Sequence, residues 1–319
     1  MRKLELSAVS RSQGNNRAVK DGRIAPNGAV LNFTEVPVLV DAFRRMVRAT
    51  EFDVCEMAIT TYLVAKEHGK PFTALPVFLV RGFHHAAIHT NYDIGYSSFG
   101  ISNIVAKRLA GRAVGVNRGY TVTTGVWARG VLHSEYGLDL DDVEWVLSGD
   151  EHVAEYRPPA NVRSANGASL ADLLAAGELA ATIGVTTPGT QTLIPDAEAA
   201  GYAALRERGH YPINHLVVVR DELLRDHPDL ARDLFDTFAE SKRRYVDELR
   251  ADAITEPTAA DRMHREVLRI TGDDPLPYGI EPNRAVLAEL LDHAINQHIL
   301  RERPNIDDLF ADGTRDITG

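Results

Sequence analysis

LPVFLVRGFHHAAIHTN, residues 75–91, is an apolar run that empties at once into an arginine, a glycine and three histidines. A strand buried on both faces reads this way, as parallel strands covered by helices do. In open α/β sheets ligands gather beyond the carboxyl ends of such strands. The stretch therefore predicts a covered sheet and, at its edge, a place for chemistry. Histidine exchanges protons most readily near neutral pH, so Arg81, His84, His85, His89 and Asn91 become candidates.

Upstream, LELSAV (4–9) and AVLNF (29–33) read as short strands around a turn region rich in Gly and Asn. Residues 36–49 have helical spacing, with Val38, Val40, Phe43 and Met46 as core contacts. FDVCEM (52–57) is a strand, and AITTYLVAKEHGK after it is a helix closed by Gly69 and Pro71. Downstream, RAVGV (112–116), VEWVL (143–147), AATIGV (180–185) and HLVVV (215–219) are strands, with helices over 121–137 and 169–179. Residues 156–168 form a long surface loop, and amphipathic helices follow over 228–250, 257–271 and 284–300. Strands alternating with helices predict βα units in two α/β lobes, completed by a helical tail.

The 319 residues are 44% hydrophobic and 25% charged, an ordinary globular composition. With 35 basic and 45 acidic side chains the net charge is −10, which argues against a nucleic-acid partner. Residues 216–319 hold 14 basic and 23 acidic residues, against 21 and 22 before them. The nearly neutral part is therefore the better host for a small anion. No signal-like or membrane-spanning apolar run is present, so a cytoplasmic protein with no membrane partner is expected. The single cysteine, Cys55, lies in an apolar strand and reads as an inert thiol.

Further along, GRAVGVNRGYTVTTGVW (111–127) carries a strand through a glycine turn into a helix opening with Thr121, Thr123 and Thr124. Helix N-termini offer free N–H groups to a carboxylate; N-capping explains the threonines equally well. Arg118 and Tyr120 beside them favour an anion. In YPINHLVVV (211–219), Asn214 and His215 stand at a strand start, and GDDPLPYGIEPNR (272–284) offers Tyr278 and Glu281. His85 and His89 would pair on a metal if their segment were helical, but no third ligand is evident and no metal is expected. There is no nucleophile elbow, zinc-protease motif or dinucleotide, flavin, pyridoxal phosphate or thiamine signature, so no cofactor is expected.

The strings FDVCEM, LPVFLVRGFHHAAIHTN, LAGRAVGVNRGYTVTTGVWARGVL, YPINHLVVVRDELLRDHPDLA and GDDPLPYGIEPNR, in this order, resemble the 4,5-dihydroxyphthalate decarboxylase family. The resemblance runs from about Leu4 to Phe310 and is most specific over 109–131 and 272–284. It implies an α/β fold like that of type II periplasmic binding proteins, with a ligand cleft between two lobes. The crossovers would fall near 89–100 and 208–216, giving one lobe of 1–96 plus 211–319 and a second of 97–210. The family pattern has Arg-His where this chain has His84-His85, while Arg81, His85 and Asn91 fit.

The implied activity is non-oxidative decarboxylation of a hydroxylated, phthalate-like aromatic acid without a cofactor. Expelling CO₂ from an aryl carboxylate leaves an unstabilised aryl anion, so the ring carbon must first take a proton. A deprotonated para hydroxyl pushes electrons to that carbon, and the enzyme needs an acid there and clamps for anions. The resemblance implies His85 as the acid, with His84 or His215 at the phenol. Arg81, Glu56, Asn91, Asn214, Tyr278 and the Thr121, Thr123 and Thr124 helix start would bind substrate, with Tyr120 and Trp127 against its ring. The alternatives are a solute-binding protein, or a ligand-binding or sensory protein inside the cell, for an aromatic carboxylate. The expected partner is that small acid, and a homo-oligomer is compatible with a chain of this size.

Overall fold

The computed structural model describes residues 3–91 and 101–319, with the side chains of 101–104 left aside. The expected crossover over 89–100 and the lobe boundary at 96–97 therefore lie largely outside the described residues. Two compact units emerge: the first is Met1–Arg81, Ile213–Ala288 and Pro304–Gly319, and the second is Gly82–Pro212 with Glu289–Arg303.

The first unit is built on the sheet order β2-β1-β3-β11-β4, from β1 (Leu4–Val9), β2 (Ala29–Phe33), β3 (Val54–Ala58), β4 (Phe72–Arg81) and β11 (Ile213–Arg220). β1 runs parallel to β2 and β3, while β11 is antiparallel to both β3 and β4. The apolar run at 75–80 is thus an edge strand with one antiparallel neighbour, not an inner parallel strand. It reads as fully buried because its outer edge is covered as well: Ala74 bridges Phe310 in parallel, and Ala311 N donates to Ala74 O at 2.9 Å. Continuous hydrophobicity records burial on both faces and says nothing of strand direction. Helices α1 (Arg17–Lys20), α2 (Leu39–Ala49), α3 (Ile59–Glu67), α8 (Asp221–Asp226), α9 (Leu230–Arg250) and α10 (Ala259–Thr271) complete the unit, with the first turn of α11 (Arg284–Asn296).

The second unit carries the sheet order β10-β5-β9-β6-β7-β8. β6 (Ala113–Val116), β7 (Glu144–Leu147), β8 (Val162–Ser164) and β9 (Ala181–Ile183) run parallel, and β5 (Ile88–Thr90) is antiparallel to β9 and to β10 (Gln191–Thr192). Because β5 pairs here, residues from Gly82 onward belong to this unit, and the break falls at Arg81–Gly82 rather than at 96–97. The expected loop 156–168 contains β8, and α7 (Ala197–Arg208) fills a stretch for which no helix is expected. The C-terminal helices do not all join the first unit: from Glu289 onward α11 packs into the second.

Its other helices are α4 (Ile101–Leu109), α5 (Thr123–Ser134) and α6 (Leu170–Ala175). From Gly125 to Leu132 every residue of α5 is buried, the signature of a helix enclosed on all sides. Gly130 permits that enclosure, since a Cβ there would stand 2.6 Å from the His293 ring. Among the described residues no helix is long and apolar enough to cross a membrane.

Candidate active site

In the first unit the informative group lies where β1 and β3 end. Glu56, in β3, is 1% exposed, yet its carboxylate is fully engaged. Oε1 stands 2.6 Å from His215 Nδ1 and 3.5 Å from Gln13 Nε2, while Oε2 accepts from the Arg11 backbone N–H at 2.9 Å. A buried carboxylate is tolerable only with such partners. His215 pairs with Ala58 in the β11–β3 register, which brings its ring to Glu56; the Phe43 ring meets it edge-on at 5.3 Å. A fifth of the His215 side chain remains exposed. The arrangement is a partly exposed imidazole held by a buried carboxylate, placed to hand a proton to a bound molecule.

Other expected residues of this unit are committed elsewhere. Arg81 is buried, donating to Asn283 Oδ1 and lying 3.5 Å from Pro277 O, with its guanidinium 5.7 Å from the Phe78 ring centre. Asn283 is itself anchored on Pro277 O and Gly279 O. Tyr278 is fully buried, its hydroxyl accepting from Asn15 Nδ2 at 3.3 Å, and burial pushes that phenol far above its ordinary range. The 272–284 segment therefore gives Leu276, Tyr278 and Ile280 to the core, while the exposed Glu281 pairs with Arg284. Asn214 is half-buried beside His215. Burial likewise pushes the Cys55 thiol well up.

In the second unit, His84 and His85 lie in the turn between β4 and β5, and Trp127 of α5 is wholly buried. His84 stacks on Trp127 at 6.4 Å, while His210 and His293 each meet it edge-on at 5.6 Å. His85 is fully buried, its Nε2 2.9 and 3.1 Å from the Glu135 carboxylate oxygens. Arg208 joins Glu135 to Glu289, and Glu289 holds His210 Nδ1 at 2.9 Å. Burial, then the neighbouring His210 and His85, push His84 down to about 3. Burial opposes ionisation of Glu135, but the His85 hydrogen bond and the charges of His85 and Arg208 bring its carboxyl below the usual range. Glu289 is lowered in the same way by His210 and His293.

The turn at 117–124 already holds an acid of its own. The Glu151 carboxylate accepts from Tyr120 N, from Thr121 N at 3.2 Å and from Thr121 Oγ1 at 2.5 Å. Gly119 leaves room for it, since a Cβ there would lie 2.7 Å from Glu151 Oε2. Neither Thr123 nor Thr124 caps α5, whose N-cap is Val122; Thr123 is buried and Thr124 half-buried. The Tyr120 ring is covered by the Arg129 guanidinium at 3.9 Å. Asn91 ties to Leu174 O at 2.7 Å. His89 sits in β5 against Thr186 at 3.2 Å, so the helical pairing of His85 with His89 does not form.

Within single units, then, the structure joins Glu56 with His215, and His84 with Trp127, while His85 goes to Glu135 and His210. Sequence reasoning missed Arg11 and Gln13 in the first unit and Glu135, Glu151, Arg208, His210, Glu289 and His293 in the second. Only the spacing of Glu289 and His293, four apart on an expected helix, was a local signal. The first unit also has a cavity of about 590 Å³ lined by Lys66, Thr73, Asp221, Phe310 and Arg315, and none of the expected site residues borders it. Among the described residues no group of three or more His, Cys, Asp or Glu is arranged for a metal ion.

No family model matches the chain. A 4,5-dihydroxyphthalate decarboxylase of Comamonas testosteroni is 30% identical, the alignment covering 92% of this chain and 93% of that protein. One of Pseudomonas putida is 32% identical over 201 residues, covering 60% of this chain and 74% of the other. Among solved structures, the desulfurization enzyme DSZB has a TM-score of 0.52 at 17% identity, covering 98% of this chain and 97% of its own. A Candida albicans gene product exhibiting the generic periplasmic binding protein fold has a TM-score of 0.51 at 12% identity, covering 96% and 93%. These likenesses show the fold: α/β, of the periplasmic-binding-protein kind.

Proposed function

The chain belongs to the 4,5-dihydroxyphthalate decarboxylase family, and on that premise we propose that it releases CO₂ from 4,5-dihydroxyphthalate or a closely similar hydroxylated aromatic acid. Such an activity would serve phthalate degradation. The observation that carries the chemistry is the Glu56–His215 pair, with its buried carboxylate at 2.6 Å and its partly open imidazole. His85, the acid expected from sequence, is sealed on Glu135; His215 is the better placed donor.

In the reaction the phenolic O–H para to the leaving carboxylate gives up its proton to water, and the oxygen lone pair flows through the ring to the carboxylated carbon. That carbon forms a C–H bond with the proton of the His215 imidazolium, whose charge Glu56 offsets. The bond to the carboxylate then breaks, its electron pair restores the aromatic ring, and neutral CO₂ departs. The phenolate takes back a proton, and His215 is recharged from water. One proton is consumed per CO₂ released.

The test is CO₂ release from 4,5-dihydroxyphthalate by the purified chain and its His215→Gln variant. The variant should lose ~10²–10⁴-fold in turnover while still binding the acid. Undiminished turnover would remove His215 from this role.

A further inference from the structure

The proposed substrate carries two adjacent carboxylates, of which one leaves and one stays. A cation held on the leaving carboxylate would stabilise a charge that vanishes as CO₂ forms, and so would slow the reaction. The same cation on the carboxylate that stays helps binding without opposing the chemical step. The expected clamp, Arg81, is buried on Asn283 and Pro277. His84 is buried with its pKa pushed down to about 3, so it offers no charge near neutral pH.

Arg11 is differently placed. It follows β1, and its backbone N–H lies on the same carboxylate that holds His215, at 2.9 Å. Its carbonyl is pinned too, by Asn16 Nδ2 at 2.9 Å, and the loop is fixed by Gln13 N on Asn16 Oδ1 at 2.8 Å and by Lys20 Nζ on Ser10 O at 2.7 Å. The backbone of Arg11 is therefore locked beside the Glu56–His215 pair while its side chain is exposed. Among the described residues its guanidinium has no hydrogen bond or ion pair, although acidic residues outnumber basic ones. Several exposed arginines elsewhere pair with acids: Arg23 with Asp21, Arg45 with Glu51, Arg244 with Glu240. A planar fork on an anchored backbone is suited to a carboxylate.

We infer that Arg11 binds the carboxylate that stays on the ring, and thereby makes the site select dicarboxylic over monocarboxylic aromatic acids. This inference rests on the decarboxylase reading, with the reacting carbon at His215. Adjacent ring carbons then put the second carboxylate beside the first, on the same edge of the ring as the pair Arg11 touches.

The experiment measures binding of phthalate and benzoate by calorimetry, since neither has the hydroxyl that turnover needs, to the full chain, Arg11→Gln and Arg11→Lys. The wild type should hold phthalate more tightly than benzoate. Arg11→Gln should weaken phthalate by ~10–100-fold, as expected for one lost charge-assisted pair, and leave benzoate within a few-fold; Arg11→Lys should recover part of the loss. With 4,5-dihydroxyphthalate the Arg11→Gln defect should fall on KM, with kcat little changed. Equal losses for both acids, no loss for either, or a wild type that does not prefer phthalate would each overturn the inference. CO₂ release by the wild type with an unchanged KM in Arg11→Gln would refute Arg11 alone. A wild type that releases no CO₂ from 4,5-dihydroxyphthalate would bring down the reading on which the inference rests.

Discussion

His84 makes the second unit acid-sensitive in a way that can be calculated. Burial holds its imidazole neutral, moving the pKa from 6.5 to about 3. A depressed histidine pKa means that, between those values, the unfolded chain binds a proton the folded chain refuses, so stability falls as pH drops below 6.5. In that interval every step of one in pH costs ~1.4 kcal/mol, so acidification from pH 7 to pH 5 should remove ~2 kcal/mol through this one residue. His84→Gln cannot titrate and escapes the loss. Unfolding of wild type and variant by denaturant, followed at both pH values, isolates the effect as the change in their stability difference. That difference should move by ~2 kcal/mol in favour of the variant at pH 5. For a lobe of this size that corresponds to roughly 4–8 °C in midpoint temperature. A stability difference that does not change with pH would mean that His84 is charged or solvated in the folded protein, and that the packing around Trp127 is looser than described.

Other consequences follow from the same packing. Trp127→Ala removes the ring on which three histidines rest, and denaturant unfolding should show a loss of ~3–5 kcal/mol. Glu151→Ala leaves the Tyr120 and Thr121 N–H groups without their acceptor, costing ~1–3 kcal/mol by the same measurement. His85→Asn should lower stability by a comparable amount, because Glu135 loses a buried partner, while CO₂ release stays within a few-fold of wild type.

The strands were the most legible part of the chain, because alternation and apolar runs are local properties. LELSAV and AVLNF fall on β1 and β2, and HLVVV lies inside β11. The direction of β4 was not legible, since burial on two faces looks alike whether a neighbour is parallel or antiparallel. The unit boundary hangs on β5, three residues long, too short for any periodicity to register. The helix at Ala197–Arg208 is rich in alanine and carries little of the apolar stripe that marks a surface helix. His215 was legible because it sits near the start of β11, while Glu56 lies in the middle of β3. Their pairing was not legible, because 159 positions separate them, and only the β3–β11 register brings them together. Arg11 gave no signal at all: an arginine in a polar turn is ordinary until the fold shows what its backbone holds.

The most direct test of the account is to incubate the purified chain with 4,5-dihydroxyphthalate in D₂O, measuring CO₂ and the NMR spectrum of the aromatic product together. One CO₂ per product molecule, with a single deuterium at the vacated ring carbon and the rate strongly reduced in His215→Gln, is the predicted result. No CO₂ from the intact protein, or CO₂ released at an undiminished rate by His215→Gln, would contradict it.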